Sequence, residues 1–266
     1  MILQRFRGQM MVVRQADHSR QAGDFARHWG NETIAPLTPR DDVMNAATIH
    51  DSGWDDMDAH PLLDPETGWP REFRGLSPHY QTPMYRRSVE QATELGAYAG
   101  LLVSLHLSGL YNDRFGTAPL PRSWDADERA VAESFLAEQK SVQLSLATHA
   151  LGRPMSVDIT SEDELWRNYR LLQVWDRLSI LYAFRLAAGG EIGPLPLPDG
   201  SETTLRCLPC GELSLALDPY PFDESPCAFP LPARLVPDQR HETIESYLEA
   251  FDNAPVTILE CKARRV

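Results

Sequence analysis

The adjacent pair His50–Asp51 closes an apolar helical run, "VMNAATIHDSG". Val43, Ala46, Ala47 and His50 recur at helical spacing, so the imidazole lies on the face that turns to the core, and Gly53 supplies a stop. Thr38 and Pro39 suit the start of this helix, with Asp41 in its first turn. A chain that buries an imidazole and a carboxylate together must bring them a partner. An uncompensated buried carboxylate costs several kcal/mol.

The same conflict recurs in three other segments. In "ADHSRQAGDFARHWG", Asp17 is the expected N-cap and Gly30 the expected stop. Ala22, Phe25, Ala26 and Trp29 form its inner stripe, and His18, four residues before Ala22, extends it; His28 falls outside it. In "YRRSVEQATELGAYAGLLVSLHLSGLY", the positions Ala92, Leu95, Ala99, Leu102, His106 and Leu110 share one face. In "DELWRNYRLLQVWDRLSILYAFRLA", Asp176 shares a face with Tyr169, Leu172, Ile180 and Ala183. Inward histidines with two inward acids point to a divalent cation, which neutral imidazoles and carboxylates bind and neutralise directly. The competing reading is a buried His–Asp hydrogen-bond network balanced by Arg177 or another base.

The period of the apolar pattern changes along the chain. Residues 1–14 read as two short strands about a turn at "RGQ", and residues 17–188 are mostly helical. "GGEIGPLPLPDG" interrupts the pattern with glycine and proline. Beyond it, "ELSLALD" alternates with period two, "RHETIESYLEAF" reads as a short helix and "PVTILECKA" as a strand. The expected fold is mainly α, a single domain over residues 1–266 with a helical core at 15–188. The segments 1–14 and 200–266 form an appendage, meeting in a small antiparallel sheet because neither buries an apolar face alone.

Composition narrows the function classes. The formal charge of −13 excludes a nucleic-acid polymer as partner, since phosphate backbones need a basic stripe. No apolar run reaches the roughly 18 residues of a membrane helix, and the N-terminal segment lacks a signal-peptide cleavage pattern. A cytoplasmic protein with no membrane partner is expected. The partner is a small-molecule substrate, and assembly into a homo-oligomer stays open. The four cysteines, Cys207, Cys210, Cys227 and Cys261, are then expected as reduced thiols. "CLPC" has zinc or redox spacing without a second paired motif, so core packing is the first reading and a structural zinc site the second.

The order His18, adjacent His50–Asp51, distant Asp176 resembles the HD superfamily of helical metal-dependent proteins. The segments "ATIHDSG" and "LLQVWDRLS" are similar to its helix ending in His-Asp and to its last helix. The framing "DHSRQAGDFARHWGN", "IHDSGWDDMD" and "LLVSLHLSGLY" also resembles DUF3891, a bacterial family carrying only a domain-of-unknown-function label. The HD resemblance implies an HD-type helical bundle with one ion held by His18, His50, Asp51 and Asp176. Two-metal members add two histidines between the pair and the last acid, where this chain has His79 and His106. His79 lies in "LSPHYQTP", where a ligand of the second ion and a surface loop residue are equal readings. Trp54 stands where many HD phosphohydrolases carry a lysine, which leaves the usual phosphate grip without a counterpart there.

The resemblance implies one or two divalent ions (Fe, Mn, Zn or Mg). Catalytic roles are assigned to Asp51, to Asp55 as general base and to Arg177 as a phosphate donor, with Arg20, Arg86 and Arg87 as further donors. The leading expectation is a metal-dependent hydrolase of a small phosphorylated or nucleotide-like molecule. The alternatives are a di-iron oxygenase using His18, His50, Asp51, His79, His106 and Asp176, and a non-catalytic protein that binds metal or ligand.

Overall fold

A computed structural model describes residues 1–118, 122–156, 158–185 and 188–266; residues 186–187, near the end of the expected helical core, lie outside them. The chain opens with strands β1 (Ile2–Phe6) and β2 (Gln9–Val13), joined at Arg7–Gly8, where both residues have positive φ. Helices α1 (Gln15–Arg27), α2 (Arg40–Ile49) and the short α3 (Asp55–Ala59) follow. Next come α4 (Pro78–Leu95), α5 (Ala97–Gly109), α6 (Ala126–Leu151) and α7 (Asp163–Ile180). Strands β3 (Gly190–Pro196), β4 (Glu202–Gly211), β5 (Ser214–Asp218) and β6 (Cys227–Pro237) come before α8 (Ile244–Asn253) and β7 (Val256–Arg265).

The seven strands form one sheet in the order β1-β2-β6-β7-β5-β4-β3. It is mixed, because β5 runs parallel to β7 while the other neighbours are antiparallel, and it curls into a half-barrel. Helix covers 49% of the chain. The expectation of a mainly α, all-helical bundle with a small sheet is therefore corrected. The termini do share the sheet, but they are part of a large one that also recruits residues 190–196.

Proline hid two of these strands. In β3, Pro194 and Pro196 sit on the outermost strand, where a missing N–H is tolerated. In β6, Cys227, Phe229, Leu231 and Ala233 turn inward and Pro230 faces out. Pro230 and Pro232 pair with Glu260 and Ile258 of β7, whereas β2 reaches β6 only from Arg234 to Pro237. The absent N–H groups thus fall on a stretch of β6 that has no second neighbour.

Helix α1 lies on β6 and α7 lies on β3, so helices and sheet bury one continuous core. The ring of Phe25 on α1 meets those of Phe222, Phe229 and Tyr182 at 4.6–6.0 Å. Helix α5 is buried all round, as its sequence AYAGLLVSLHLSG allows. The single long helix expected around it is two, α4 and α5, separated at Gly96. Helix α6 begins with a full capping box, Asp125 and Glu128. After α5 the chain makes a left-handed turn: Asp113, Arg114 and Phe115 have φ of 57°, 52° and 57°. Such a conformation costs L-residues about 1–2 kcal/mol each.

Candidate metal centre

Four elements converge on one buried point. His18 comes from the first turn of α1, His50 and Asp51 from the end of α2, His106 from α5 and Asp176 from α7. The three imidazoles are at most 1% exposed, and the two acids only 6% and 5%. The carboxylates are thus the cluster's opening toward the outside.

Close backbone approaches hold the elements in place. A Cβ on Gly23 would stand 2.1 Å from Thr48 Oγ1 and 2.9 Å from Thr48 Cα, so α1 and α2 cross in contact and bring His18 to His50. A Cβ on Gly53 would meet the carbonyl oxygen of Met84 at 2.1 Å, and the Gly53 N–H donates to Ser88 Oγ at 2.9 Å. The turn after the His-Asp pair is therefore pressed against α4.

His18 Nε2 is 3.0 Å from Asp51 Oδ2 and 3.8 Å from Asp176 Oδ1. His50 Nε2 is 3.9 Å from Asp51 Oδ2 and 3.7 Å from Asp176 Oδ1. The rings of His18 and His106 flank that of His50 at 5.1 and 4.9 Å. Two triads of mutually close ligand atoms result, His18/His50/Asp51 and His50/His106/Asp176, with His50 in both.

Around this set, Gln15 Nε2 donates to Asp51 Oδ2 at 3.3 Å, and His50 Nδ1 donates to the Ala47 carbonyl at 2.9 Å. His106 Nδ1 lies 2.7 Å from the Gln173 side-chain amide. His50 Nε2 and His18 Nδ1 are buried with no hydrogen-bond partner.

Charge follows from these surroundings. Burial opposes ionisation of Asp51, but His50 and His18 outweigh it and lower its pKa. Burial likewise opposes ionisation of Asp176, and the three histidines hold its carboxyl well below the usual range. Burial disfavours a charged His50, yet Asp51 and Asp176 prevail and raise its pKa. His106 goes the other way: burial, reinforced by His50 and Arg114, pushes it down to about 3. The centre therefore holds two carboxylates and a neutral His106.

The remaining nominated residues lie elsewhere. His79, near the start of α4, is exposed and pairs through Nε2 with Asp127 Oδ2 at 3.0 Å. Its segment carries no apolar stripe to turn it inward. Asp55 is exposed at the start of α3. Arg177 adjoins Asp176, but its guanidinium donates to the carbonyls of Gly193 (2.8 Å) and Glu191 (3.4 Å) in β3. One residue along a helix is a turn of about 100°, enough to point it at the sheet. Arg20, Arg86 and Arg87 are held by Asp17, Glu138 and Asp56 at the surface. Asp58 anchors the Met1 ammonium at 2.8 Å and the Gln15 N–H at 2.7 Å. Among the described residues, no group of metal-capable side chains includes Cys207, Cys210 or Cys261.

A cleft of about 840 Å³ lies between β1 and the loop around Trp69–Glu72, and no cluster residue lines it. No described helix is long and apolar enough to cross a membrane.

The family whose description reads "Protein of unknown function (DUF3891)" matches residues 1–238, which include all five cluster residues. The chain belongs to the DUF3891 family. No curated protein and no solved structure matches it. DUF3891 membership replaces the HD-superfamily and HD-domain expectation, which neither the match nor the mixed sheet supports. The shared pattern His, His-Asp, Asp describes a ligand set, and unrelated folds arrive at similar sites. The DUF3891 match ends just after β6, so β7, which completes the sheet beside it, lies outside the matched segment.

Proposed function

We propose that this chain is a metal-dependent hydrolase of a small phosphorylated or nucleotide-like molecule, with a divalent cation held by His18, His50, Asp51 and Asp176 and with His106 beside it. One observation carries the reading. The Ala47 carbonyl accepts a hydrogen bond from His50 Nδ1, which makes Nε2 the lone-pair nitrogen of the neutral ring; that atom is buried, unbonded, and stands 3.7–3.9 Å from two carboxylate oxygens. These separations are too long for hydrogen bonds. They suit ligands of one ion, since atoms about 2.1 Å from a shared cation lie between about 3 and 4 Å apart. A hydrogen-bond network would leave the same nitrogen without a partner. The donor set of imidazoles and carboxylates suits Zn, Mn or Fe, and excludes no divalent cation of similar size.

A bound cation supplies Lewis acidity and lowers the pKa of a coordinated water toward ~7. The chain's own groups do the rest. Gln15 orients Asp51 through Oδ2, Ala47 fixes the tautomer of His50, and Gln173 sets the ring of His106. Burial excludes bulk water from every side but that of the acids. The di-iron oxygenase alternative loses a ligand, because His79 is engaged with Asp127 at the surface.

The test is elemental analysis of protein purified without chelator, beside His50→Ala and His106→Ala, followed by a panel of phosphate esters and nucleotides. About one metal per chain in the wild type, lost in His50→Ala, and metal-dependent release of phosphate are expected. Wild-type protein free of metal, and not taking it up when supplied, overturns the reading.

A further inference from the structure

Arg114 is a residue that neither the metal cluster nor the core accounts for. It lies in the left-handed turn after α5, at φ 52°. Its backbone N–H donates to the Gly109 carbonyl at 2.8 Å, which folds the turn back onto the helix that carries His106. The guanidinium Nη1 is buried without a hydrogen-bond partner, and no carboxylate among the described residues forms an ion pair with the side chain. The nearest acid in sequence, Asp113, is held by Arg122 at 3.0 Å. Arg114 is half-buried, and in a chain of net charge −13 the buried Nη1 is out of place unless an anion completes it.

A second orphan faces the same turn. Tyr169 is fully buried on α7, two turns before Asp176, and its phenol oxygen has no partner. That oxygen rests against Gly109, 2.3 Å from where a Cβ would stand. Phe115, next to Arg114, packs its ring on that of Tyr169 at 5.3 Å. Between Tyr169 and Asp176 on the same helix face stands Gln173, whose Oε1 is also unpartnered. The Arg114 turn is tied to the end of α5, which carries His106, and Tyr169 stands seven residues before Asp176 on one face of α7, so both orphans lie on helices that build the cluster.

We propose that Arg114 and Tyr169 form an oxyanion-binding pocket beside the His/Asp cluster that seats the phosphoryl group of the substrate. The inference rests on the hydrolase reading for the substrate but not for the pocket itself. The guanidinium fork offers two parallel N–H donors to a tetrahedral oxyanion, and the phenol adds a third. The strained turn is consistent with this use, since left-handed backbone at non-glycine positions is retained where function requires the side chain.

The probe is inorganic phosphate, titrated by calorimetry into the full chain, with metal content measured on every sample. Wild type is expected to bind phosphate; Arg114→Gln and Arg114→Gly are expected to weaken binding at least tenfold, with metal content unchanged. Tyr169→Phe weakens it less, and Arg20→Gln leaves it as it was. Arg114→Gly guards against a misfolded variant, because glycine adopts this backbone freely and its melting temperature is expected to rise by about 2–4 °C. Phosphate binding that is indifferent to Arg114, or absent in the wild type up to ~10 mM, overturns the proposal even if metal is present. Arg114-dependent binding in a chain that takes up no metal upholds the pocket and defeats the hydrolase reading.

Discussion

His50 donates its Nδ1 proton to the carbonyl of Ala47, 2.9 Å away and three residues back on α2. The contact joins the last turn of the helix to the ring that both ligand triads share. It decides which nitrogen can act as a base: Nε2 is left facing Asp51 and Asp176, without a hydrogen-bond partner of its own. Backbone carbonyl partners of this kind orient metal-binding histidines and raise their basicity.

Metal binding is expected to be coupled to this proton. The pKa of His50 is raised, with Asp51 and Asp176 overcoming the opposing effect of burial. The metal-free protein therefore keeps a proton on His50 to higher pH than a free imidazole would. Binding must displace it, so affinity rises with pH, by about tenfold per unit while His50 is protonated. Calorimetric titrations with Mn or Zn in buffers of different ionisation enthalpy should show proton release at pH 6.5 that shrinks toward pH 8.5. Release that does not change with pH contradicts the assignment of His50.

The metal-free protein should lose stability in mild acid through His106. Its pKa is pushed down by burial to about 3, against about 6.5 in an unfolded chain. Between those values the unfolded state binds the proton and the folded state does not. The contribution is thus fully present above pH 6.5 and is lost as pH falls from there toward 3, by about 1.4 kcal/mol per unit. Urea unfolding in chelator at pH 7.5 and 5.0 should show wild type losing about 2 kcal/mol more than His106→Asn. Equal losses would mean that the folded protein accepts the proton.

Gln173 is expected to control the affinity of the centre without being a ligand. Its amide lies 2.7 Å from His106 Nδ1, and its Oε1 is buried and unpartnered. When His106 Nε2 faces a cation, Nδ1 carries the proton and requires an acceptor, which the amide oxygen supplies on turning over. Gln173→Leu should weaken metal binding about tenfold, and Gln173→Glu should retain it; competition with a chromogenic chelator reads both.

Gly53→Ala should damage the site through the backbone. The added methyl would stand 2.1 Å from the Met84 carbonyl and 2.8 Å from the Ser88 nitrogen, and neither backbone atom can yield without moving α4. A cost of about 1–3 kcal/mol is expected, with reduced metal occupancy because Asp51 shifts with the turn. Gly75→Ala is the control, since nothing lies within 4 Å of its would-be Cβ. Thermal melts and elemental analysis of the two variants should diverge.

Helical period alone turned His18, His50, His106 and Asp176 inward, because an apolar stripe at steps of three and four defines a buried face whatever it packs against. His79 had no stripe, and the structure leaves it at the surface. Arg114 was missed for the same reason in reverse: it lies in a turn after α5, where no period says which way a side chain points. Its one local signal is the polar run Asn112-Asp113-Arg114 shortly after a mostly apolar helix. The sheet was legible only in part. The alternation of Leu213, Leu215 and Leu217 showed β5, whereas prolines in β3 and β6 suppressed the strand pattern.

Local patterning in the chain was sufficient to turn His18, His50, His106 and Asp176 inward and to mark most of the helical segments, because both depend on neighbours within a few residues; Leu95, on the same stripe as His106, is exposed at the end of α4. Tertiary structure alone decided that β7 enters between β6 and β5, parallel to the latter, and that four helices bring their inward groups to a single point. Those outcomes depend on pairings between residues far apart in the chain, whose energies are set by shape and closure of the whole core and leave no trace in any short window.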